Sequence, residues 1–444
     1  MSLVTCIDVG STFTKAALVD VASGVLVATA AHPTTIATDV MDGVDAVCRE
    51  LATAGGATSG GATGERLVCS SAGGGLRLAV VGYEREVTAE AGRRVGLSAG
   101  GKVVHVAAGA LGGAEIRALR GASPDLVLLV GGTDGGNAEV LRHNAARLAA
   151  ARITPPIVVA GNVEVADEVA SLLASTGRRF TVTANVVPRI GQIAPDGARG
   201  AIREAFLTHV IGGKGLSRGR GFAELVRAAT PDAVLQGVEV LAEVVGGDVL
   251  VIDIGGATTD VYSVITPQGE DASLHRDVVA PLWHARTVEA DLGMRWNAAT
   301  IVEAAARERL PLTPSTVAYA AEVSADTGHL ASSPHEWAGE QELASAAAVL
   351  AVRRHGRSAH PSERPRPLAE VSVVLGSGGV LRHSPPEVSA AVLAAVTGDH
   401  GGGWRVPDRA RVGVDSSYVL FVVGLLSQVH PSAARALAGS LARG

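Results

Sequence analysis

The chain of 444 residues carries 38 Lys+Arg and 44 Asp+Glu, a formal net charge of −6, with 47% hydrophobic and 18% charged residues. This balance supports a sizeable core in roughly three folding units and excludes a disordered chain; the mild acidity and 3% aromatic content argue against a nucleic-acid binder, which needs a basic footprint and stacking rings. Glycine is in excess at 55 residues, about 12% against a usual ~7%, without the period of three that collagen requires.

Apolar runs alternate with Ala-rich stretches, which predicts an α/β protein. Residues 3–7, 13–19 and 25–30 read as three consecutive strands with tight polar turns, and 38–51 as a helix capped at Thr38 or Asp39. Residues 54–64 are a Gly/Ala/Ser/Thr loop; 67–71 read as the next strand, running into Gly73-Gly74-Gly75. The middle of the chain alternates strand 126–130, the run Gly131-Gly132-Thr133-Asp134-Gly135-Gly136, helix 138–151, strand 157–160, helix 165–174 and strand 180–184. That βαβαβ unit predicts a parallel sheet with right-handed crossovers. Helices are expected over 197–210 and 223–245, and a second strand–turn–strand unit starts at Val249. Then come a helix near 291–309, a loop-rich stretch over 310–336, a helix over 341–353 and a Pro- and Arg-rich segment over 353–367. The last reads as a solvated loop, with docking of an anionic surface as the lesser alternative. A buried strand at 371–375 and a final helix over 418–428 complete the pattern.

Cys6, Cys48 and Cys69 are odd in number and widely spaced, which suits buried apolar thiols in a reducing compartment. The N-terminal residues lack the basic segment of a signal peptide, and apolar runs such as 419–426 fall far short of the ~20 residues that span a bilayer. A soluble, cytoplasmic protein without a membrane partner is expected. His and Cys do not cluster at zinc-ligand spacing. The G-x-S-x-G strings at 96–100 and 215–219 do not follow predicted strands, as a nucleophile elbow requires, and read as chance matches.

The strongest signal is an approximate duplication. An apolar strand meets Asp8-Val9-Gly10-Ser11-Thr12, and a second strand opens with Phe13-Thr14-Lys15; 245 residues later another strand meets Asp253-Ile254-Gly255-Gly256-Ala257-Thr258-Thr259-Asp260, followed by Val261-Tyr262-Ser263-Val264. Each copy is a β-hairpin with an acidic residue at the strand end and a turn of small residues. Glycines let the backbone approach and expose N–H groups to anionic oxygens, and Ser and Thr hydroxyls add short donors. Asp8 and Asp253 cannot favour phosphates directly; they suit outer-shell holders of hydrated Mg²⁺, which keeps its waters while bridging carboxylates and phosphates. Lys15 supplies a point charge for terminal phosphates. A further Gly-rich turn, Gly376-Ser377-Gly378-Gly379, follows the strand at 371–375 and could let a flat base and ribose lie against bare backbone.

These three motifs, in this order, resemble the actin-like ATPase superfamily, which includes actin, the seventy-kilodalton heat-shock chaperones and sugar and acetate kinases. The resemblance implies two ribonuclease-H-like lobes that clamp ATP between two phosphate loops and an adenosine loop. Asp8 with Lys15 matches the Asp-to-Lys spacing of actin, and residues 253–260 are similar to the chaperones' D-L-G-G-G-T-x-D with Ala257 in place of the third Gly. Three further stretches, 69–77 (C-S-S-A-G-G-G-L-R), 130–137 (V-G-G-T-D-G-G-N) and 286–295 (R-T-V-E-A-D-L-G-M-R), resemble the MutL proteins associated with glutamate mutase, over nearly the whole chain. That narrower resemblance implies an ATP-dependent chaperone or reactivating factor whose partner is an adenosylcobalamin-dependent mutase, letting damaged corrinoid leave so that intact cofactor can enter.

The expected fold is therefore α/β: two ribonuclease-H-like lobes with an inserted βαβ-type segment. The expected divisions are 1–75 for the first lobe, 76–246 for its continuation and the insertion, and 247–444 for the second lobe. ATP and Mg²⁺ are the expected cofactors. Gly10, Ser11, Thr12, Lys15, Gly255, Gly256, Thr258 and Thr259 are expected at phosphates; Gly376, Ser377, Gly378 and Gly379 at adenosine; Asp8 and Asp253 at Mg²⁺ through water. Asp8, Asp253 and Thr258 form the expected catalytic set, with Asp253 or Thr258 orienting the attacking water. Asp134, at a parallel strand's C-terminal end, suits a ligand or partner contact or a plain helix cap, and Glu289 and Asp291 suit a helix dipole or the nucleotide. A small-molecule kinase, with Asp134 as the candidate base, and a nucleotide-dependent scaffold or filament stay open as alternatives, as does homo-oligomerisation.

Overall fold

Val, Ile and Ala recur through the first 33 residues with two short polar breaks, and they fold as an antiparallel meander of β1 (Leu3–Val9), β2 (Phe13–Asp20) and β3 (Val25–Pro33). The computed structural model describes residues 2–54, 64–219, 221–266, 284–357, 365–401 and 405–443. Residues 55–63 of the loop expected over 54–64, and 358–364 at the centre of the Arg-rich segment, lie outside the described residues. Helix α1 (Val40–Ala54), whose first turn is capped by Asp39 Oδ1 accepting from the Met41 N–H at 2.9 Å, leads to β4 (Glu65–Ser70), parallel to β1.

A separate sheet follows. It comprises β5 (Leu76–Gly82), α2 (Thr88–Ser98), β6 (Gly101–Ala108), α3 (Gly113–Gly121), β7 (Leu126–Leu129), α4 (Glu139–Ala150), β8 (Ile157–Val159), α5 (Ala166–Ala174) and β9 (Phe180–Val182). Its five strands are all parallel in the order β6-β5-β7-β8-β9. The predicted βαβαβ unit is its second half; β5 and β6 went unanticipated. Leu126 to Leu129 are all fully buried, as expected of a strand covered on both faces.

The chain returns through α6 (Asp196–Ala205) and α7 (Gly221–Leu225) to β10 (Val226–Ala229), which pairs parallel with β4 and completes the first sheet as β10-β4-β1-β2-β3. The helix expected over 223–245 is thus broken: its first part contributes a sheet edge, and α8 (Thr230–Val245) begins only at Thr230-Pro231. The second lobe repeats the plan. An antiparallel meander of β11 (Val249–Ile254), β12 (Thr259–Val264) and β13 (His284–Glu289) is followed by α9 (Ala298–Arg307), α10 (Pro314–Ala325) and α11 (Pro334–Gly356). Then come β14 (Val373–Ser377), α12 (Gly378–His383), α13 (Pro386–Thr397), β15 (Arg411–Val414), α14 (Leu420–Ser427) and α15 (Pro431–Leu441). Strands β14 and β15 run parallel to β11, in the order β13-β12-β11-β14-β15. Three antiparallel strands followed by two parallel ones, twice over, make two ribonuclease-H-like lobes, with the five-stranded parallel sheet inserted in the first.

Two expectations in the second lobe fail for one reason. The loop expected over 310–336 contains α10, and the final helix is followed by α15. Pro314 and Pro431 stand at the first position of these helices, where the missing N–H costs nothing and φ is already helical. The same holds for Pro334 of α11, behind the Ser333/Glu336 capping box.

Between the lobes lies one apolar layer. Cys6 and Cys69 of the first sheet and Val251 and Tyr262 of the second share a core with Leu235 and Val238 of α8 and Phe421 and Val422 of α14. All three cysteines are free and buried. Helices α8 and α14 cross at Gly237 and Gly424: a methyl on Gly237 would run into the Leu420 carbonyl, and one on Gly424 into the Ala233 carbonyl. The backbones therefore touch. Among the described residues no helix is long and apolar enough to cross a membrane. Gly424→Ala should destabilise the protein by about 1–3 kcal/mol through overpacking, measured as a shift in the urea midpoint; an unchanged midpoint would contradict the backbone contact.

Candidate functional site

The first hairpin turns tightly, with the Gly10 N–H bonded to the Phe13 carbonyl at 3.1 Å. Ser11 and Thr12 are exposed at its tip, and Thr34 on the strand end behind it donates from Oγ1 to the Gly10 carbonyl at 2.9 Å. Asp8 and Lys15 are direct cross-strand partners. Asp8 is buried, with 2% exposure, and its carboxylate accepts from Thr230 Oγ1 at 2.6 Å, Tyr418 OH at 3.4 Å and Cys69 Sγ at 3.7 Å. Burial pushes the Asp8 carboxyl up, opposed by the Lys15 charge and by these hydrogen bonds.

The second hairpin has the same register with different charges: Asp253 faces Asp260, and Asp260 is neutralised by Arg286, at 2.7 Å. The turn rests on the segment after β13. Gly255 O accepts from Met294 N at 3.0 Å, and Gly256 O from Arg295 N at 2.8 Å and Trp296 N at 3.0 Å; Gly293 is so close to Ala257 that no side chain fits there. This bed is why the helix expected from 291 starts only at Ala298. Thr258 is partly open and donates to Asp260 Oδ2 at 3.0 Å. Thr259, by contrast, is fully buried and donates to the Leu292 carbonyl at 2.7 Å.

The third Gly-rich stretch sits beside the second hairpin because β14 pairs with β11, with Ser377 opposite Asp253. Gly376 and Ser377 belong to the strand rather than a turn: a methyl on Gly376 would meet Leu381 at 2.7 Å and Leu393 at 3.1 Å, and Ser377 is buried. Gly378, at φ +89°, lies against the second hairpin, where a methyl would come within 2.6 Å of Asp253 Oδ1. Gly379 faces open space.

Sequence reasoning missed two members of this neighbourhood. Asp415, just past β15, is buried and accepts from the N–H groups of Val419 at 2.8 Å and Leu420 at 3.1 Å. The signal was there, since V-G-V-D repeats the pattern of a strand ending in Asp. Tyr418 has a positive φ of 53° and places its ring 3.8 Å from Lys15 Nζ and 4.9 Å from the Arg382 guanidinium carbon. Only its being one of four tyrosines marked it.

Charges from both lobes converge here. Burial and then Asp260 push the Asp253 carboxyl up, to about 6; Lys15 opposes this, while Asp8 and Asp415 add to it. The cleft thus carries surplus carboxylate charge, which suits a bound cation. Among the described residues no three His, Cys, Asp or Glu side chains converge as a direct metal cage; the donor set fits a hydrated Mg²⁺ shared with phosphate, the regime in which that ion keeps its waters.

A family model described as MutL protein matches residues 4–441. The curated protein named Protein MutL from Clostridium tetanomorphum is 34% identical over 450 residues, covering 96% of each chain. This chain belongs to the MutL protein family. Solved structures similar to it include nucleotide-free acetone carboxylase (16% identity, 96% of this chain and 70% of that one, TM-score 0.40). Component A of (R)-2-hydroxyglutaryl-CoA dehydratase from Acidaminococcus fermentans is another (11%, 98% and 99%, TM-score 0.31).

The three stretches that suggested MutL now have places. Residues 69–77 join the first sheet to the inserted one, residues 130–137 rim the inserted sheet, and residues 286–295 form the end of β13 and the bed of the second hairpin's turn. On the rim, Asp134 Oδ1 accepts from the Val163 N–H at 3.1 Å and Asn185 Nδ2 at 2.8 Å; it binds neighbouring loops together. Glu289 and Asp291 both hold Arg354, at 2.8 and 2.7 Å, rather than opening a helix. Arg353 and Arg357 are likewise paired, with Asp399 and Glu308, so the described start of the Arg-rich segment is a helix end and not a free basic surface. Ser98 of the first G-x-S-x-G string is buried within α2 and bonded to the Val95 carbonyl. Gly378→Ala should cost about 1–3 kcal/mol, because a positive φ and a crowded Cβ coincide, whereas Gly379→Ala should leave stability within ~0.5 kcal/mol. Chemical denaturation of both variants checks the contrast.

Proposed function

We propose that this MutL-family protein binds and hydrolyses ATP and works as a chaperone-like reactivating or accessory factor for an adenosylcobalamin-dependent mutase of the glutamate mutase or aminomutase type. The observation that carries the ATP reading is the meeting of two duplicated hairpins from two like sheets, so that Lys15 and Asp8 of one act electrostatically on Asp253 of the other. A nucleotide's phosphate chain fits between them. Ser11 and Thr12 offer exposed hydroxyls and N–H groups from the first turn, Lys15 adds a cation, and Gly255, Gly256 and Thr258 line the second turn. Thr259, being buried, fixes that turn from behind. Mg²⁺, when bound with the nucleotide, would neutralise phosphate charge in the phosphoryl-transfer step. Asp8 and Asp253 would hold its water shell, and Asp253 with Thr258 would orient the attacking water. Gly379, which faces open space, leaves room for the adenosine, whereas Gly378 is bare because the second hairpin packs against it.

Family membership and the sequence likeness to MutL proteins of glutamate mutase support a mutase as the protein partner. The kinase reading's candidate base, Asp134, is exposed on the rim of the inserted sheet, where its Oδ1 holds neighbouring loops. In calorimetry the protein should bind Mg-ATP, and Asp253→Ala should lower ATP turnover at least ~100-fold; normal turnover by that variant would refute the site. Restoration of an inactivated mutase by ATP, only when this protein is present, would support the partner, and restoration without it would remove that part of the proposal.

A further inference from the structure

The inserted sheet reaches the nucleotide cleft through α6, the helix that follows its last rim loop. Asp232 stands in the first turn of α8, with 1% exposure, and Arg203 of α6 grips it with both arms, Nε to Oδ2 at 2.5 Å and a terminal nitrogen to Oδ1 at 3.0 Å. Two turns along the same face of α8, Arg199 of α6 donates to Glu239 at 2.9 Å, which also meets His284 at the start of β13. Arg199 lies 3.9 Å from Asp232, so among the described residues Arg203 makes the close side-chain hydrogen bonds to that carboxylate. Two residues before Asp232 in the same turn is Thr230, whose hydroxyl donates to Asp8 at 2.6 Å. A bidentate guanidinium–carboxylate pair is strong and directional, and a buried carboxylate stripped of its partner draws in water or moves its backbone. Either response shifts the turn that carries Thr230.

We infer that Arg203 is a positioning residue for the first phosphate hairpin: through Asp232 it fixes the first turn of α8, so that Thr230 holds Asp8 in its working orientation and the inserted domain governs the nucleotide site. The inference rests on the ATP reading above and adds the route by which another part of the molecule acts on it. It requires that Arg203 and Thr230 behave as one unit, since Arg203, bonded to Asp232, reaches Asp8 through the turn that carries Thr230.

The test uses the full-length protein with Mg-ATP, comparing the wild type with Arg203→Gln, Thr230→Val, the double variant, Arg203→Lys and, as a control, Arg142→Gln. The last breaks an exposed pair with Glu168 in the same inserted domain. Arg203→Gln and Thr230→Val should each lower kcat roughly tenfold, the scale of one charge-assisted hydrogen bond, with KM changed by less than about threefold. The double variant should be no slower than the worse single one. Arg203→Lys should recover a large part of the rate, and Arg142→Gln should match the wild type. Should Arg203→Gln fail to fold, Asp232→Asn breaks the same pair from its other side, by removing the buried negative charge, and should give the same tenfold fall. Multiplicative losses in the double variant, or an unchanged kcat for Arg203→Gln and Asp232→Asn, overturn this inference while leaving the ATPase intact. A wild-type protein that neither binds nor hydrolyses Mg-ATP overturns the ATP reading itself, and this inference with it.

Discussion

Asp8 is a buried carboxylate, and much of the molecule is arranged around the cost of keeping it there. An isolated buried charge is prohibitive, so it persists only where partners surround it. Those partners are spread along the whole chain: Lys15 across the hairpin, Cys69 on the neighbouring strand, Thr230 at the head of α8 and Tyr418 before α14. Thr230 opens one of the two helices that lie between the lobes, and Tyr418 stands just before the other. Tyr418 adopts a left-handed backbone, a conformation that costs an ordinary residue roughly 1–3 kcal/mol. It is held there by its hydroxyl on Asp8 and by the cations on its ring. The lobe contact and the first hairpin are thus a single arrangement.

The two lobes share a plan but have divided the electrostatics between them. In the first hairpin the strand-end aspartate faces a lysine; in the second it faces Asp260, whose charge is taken up by Arg286 from β13. Burial first, and then Asp260, push the Asp253 carboxyl up to about 6, and the Lys15 charge that opposes them comes from the other lobe. A cation bound between the hairpins would offset the carboxylate charge that both bring to the cleft.

Most of this was legible in the sequence where chemistry and periodicity coincide. The duplicated strand–Asp–Gly turns gave the lobes, the hairpins and the residues at their tips, and the alternating segments from 126 to 184 gave half of the inserted sheet. What escaped had physical reasons. Strand β10 is four residues long and runs directly into α8, so its apolar pattern merges with the helix that follows. Pro314 and Pro431 stand at helix starts that the apolar pattern alone did not mark. Gly376 resembled a ligand-facing glycine but is small because Leu381 and Leu393 fill the space in front of it. Thr230, Asp232 and Arg203 carry no local signal; their meaning comes from a contact between segments that only the folded chain brings together.

The position of the insertion follows from the same geometry. The chain leaves the first sheet after β4 through Gly73, Gly74 and Gly75, each with a positive φ, and returns to pair β10 with that same strand. Closing so long a loop costs little more than closing a short one, but the inserted sheet is not merely tethered. One face of it, through Leu78, Val80 and Leu128, shares a continuous core with Ile7 and Val9 of β1. Strand β10 then passes without a linker into α8, from Ala229 to Thr230. Any displacement of the inserted sheet must therefore be taken up in the edge strand of the first lobe or in the helix between the lobes, and both end at the residue that holds Asp8.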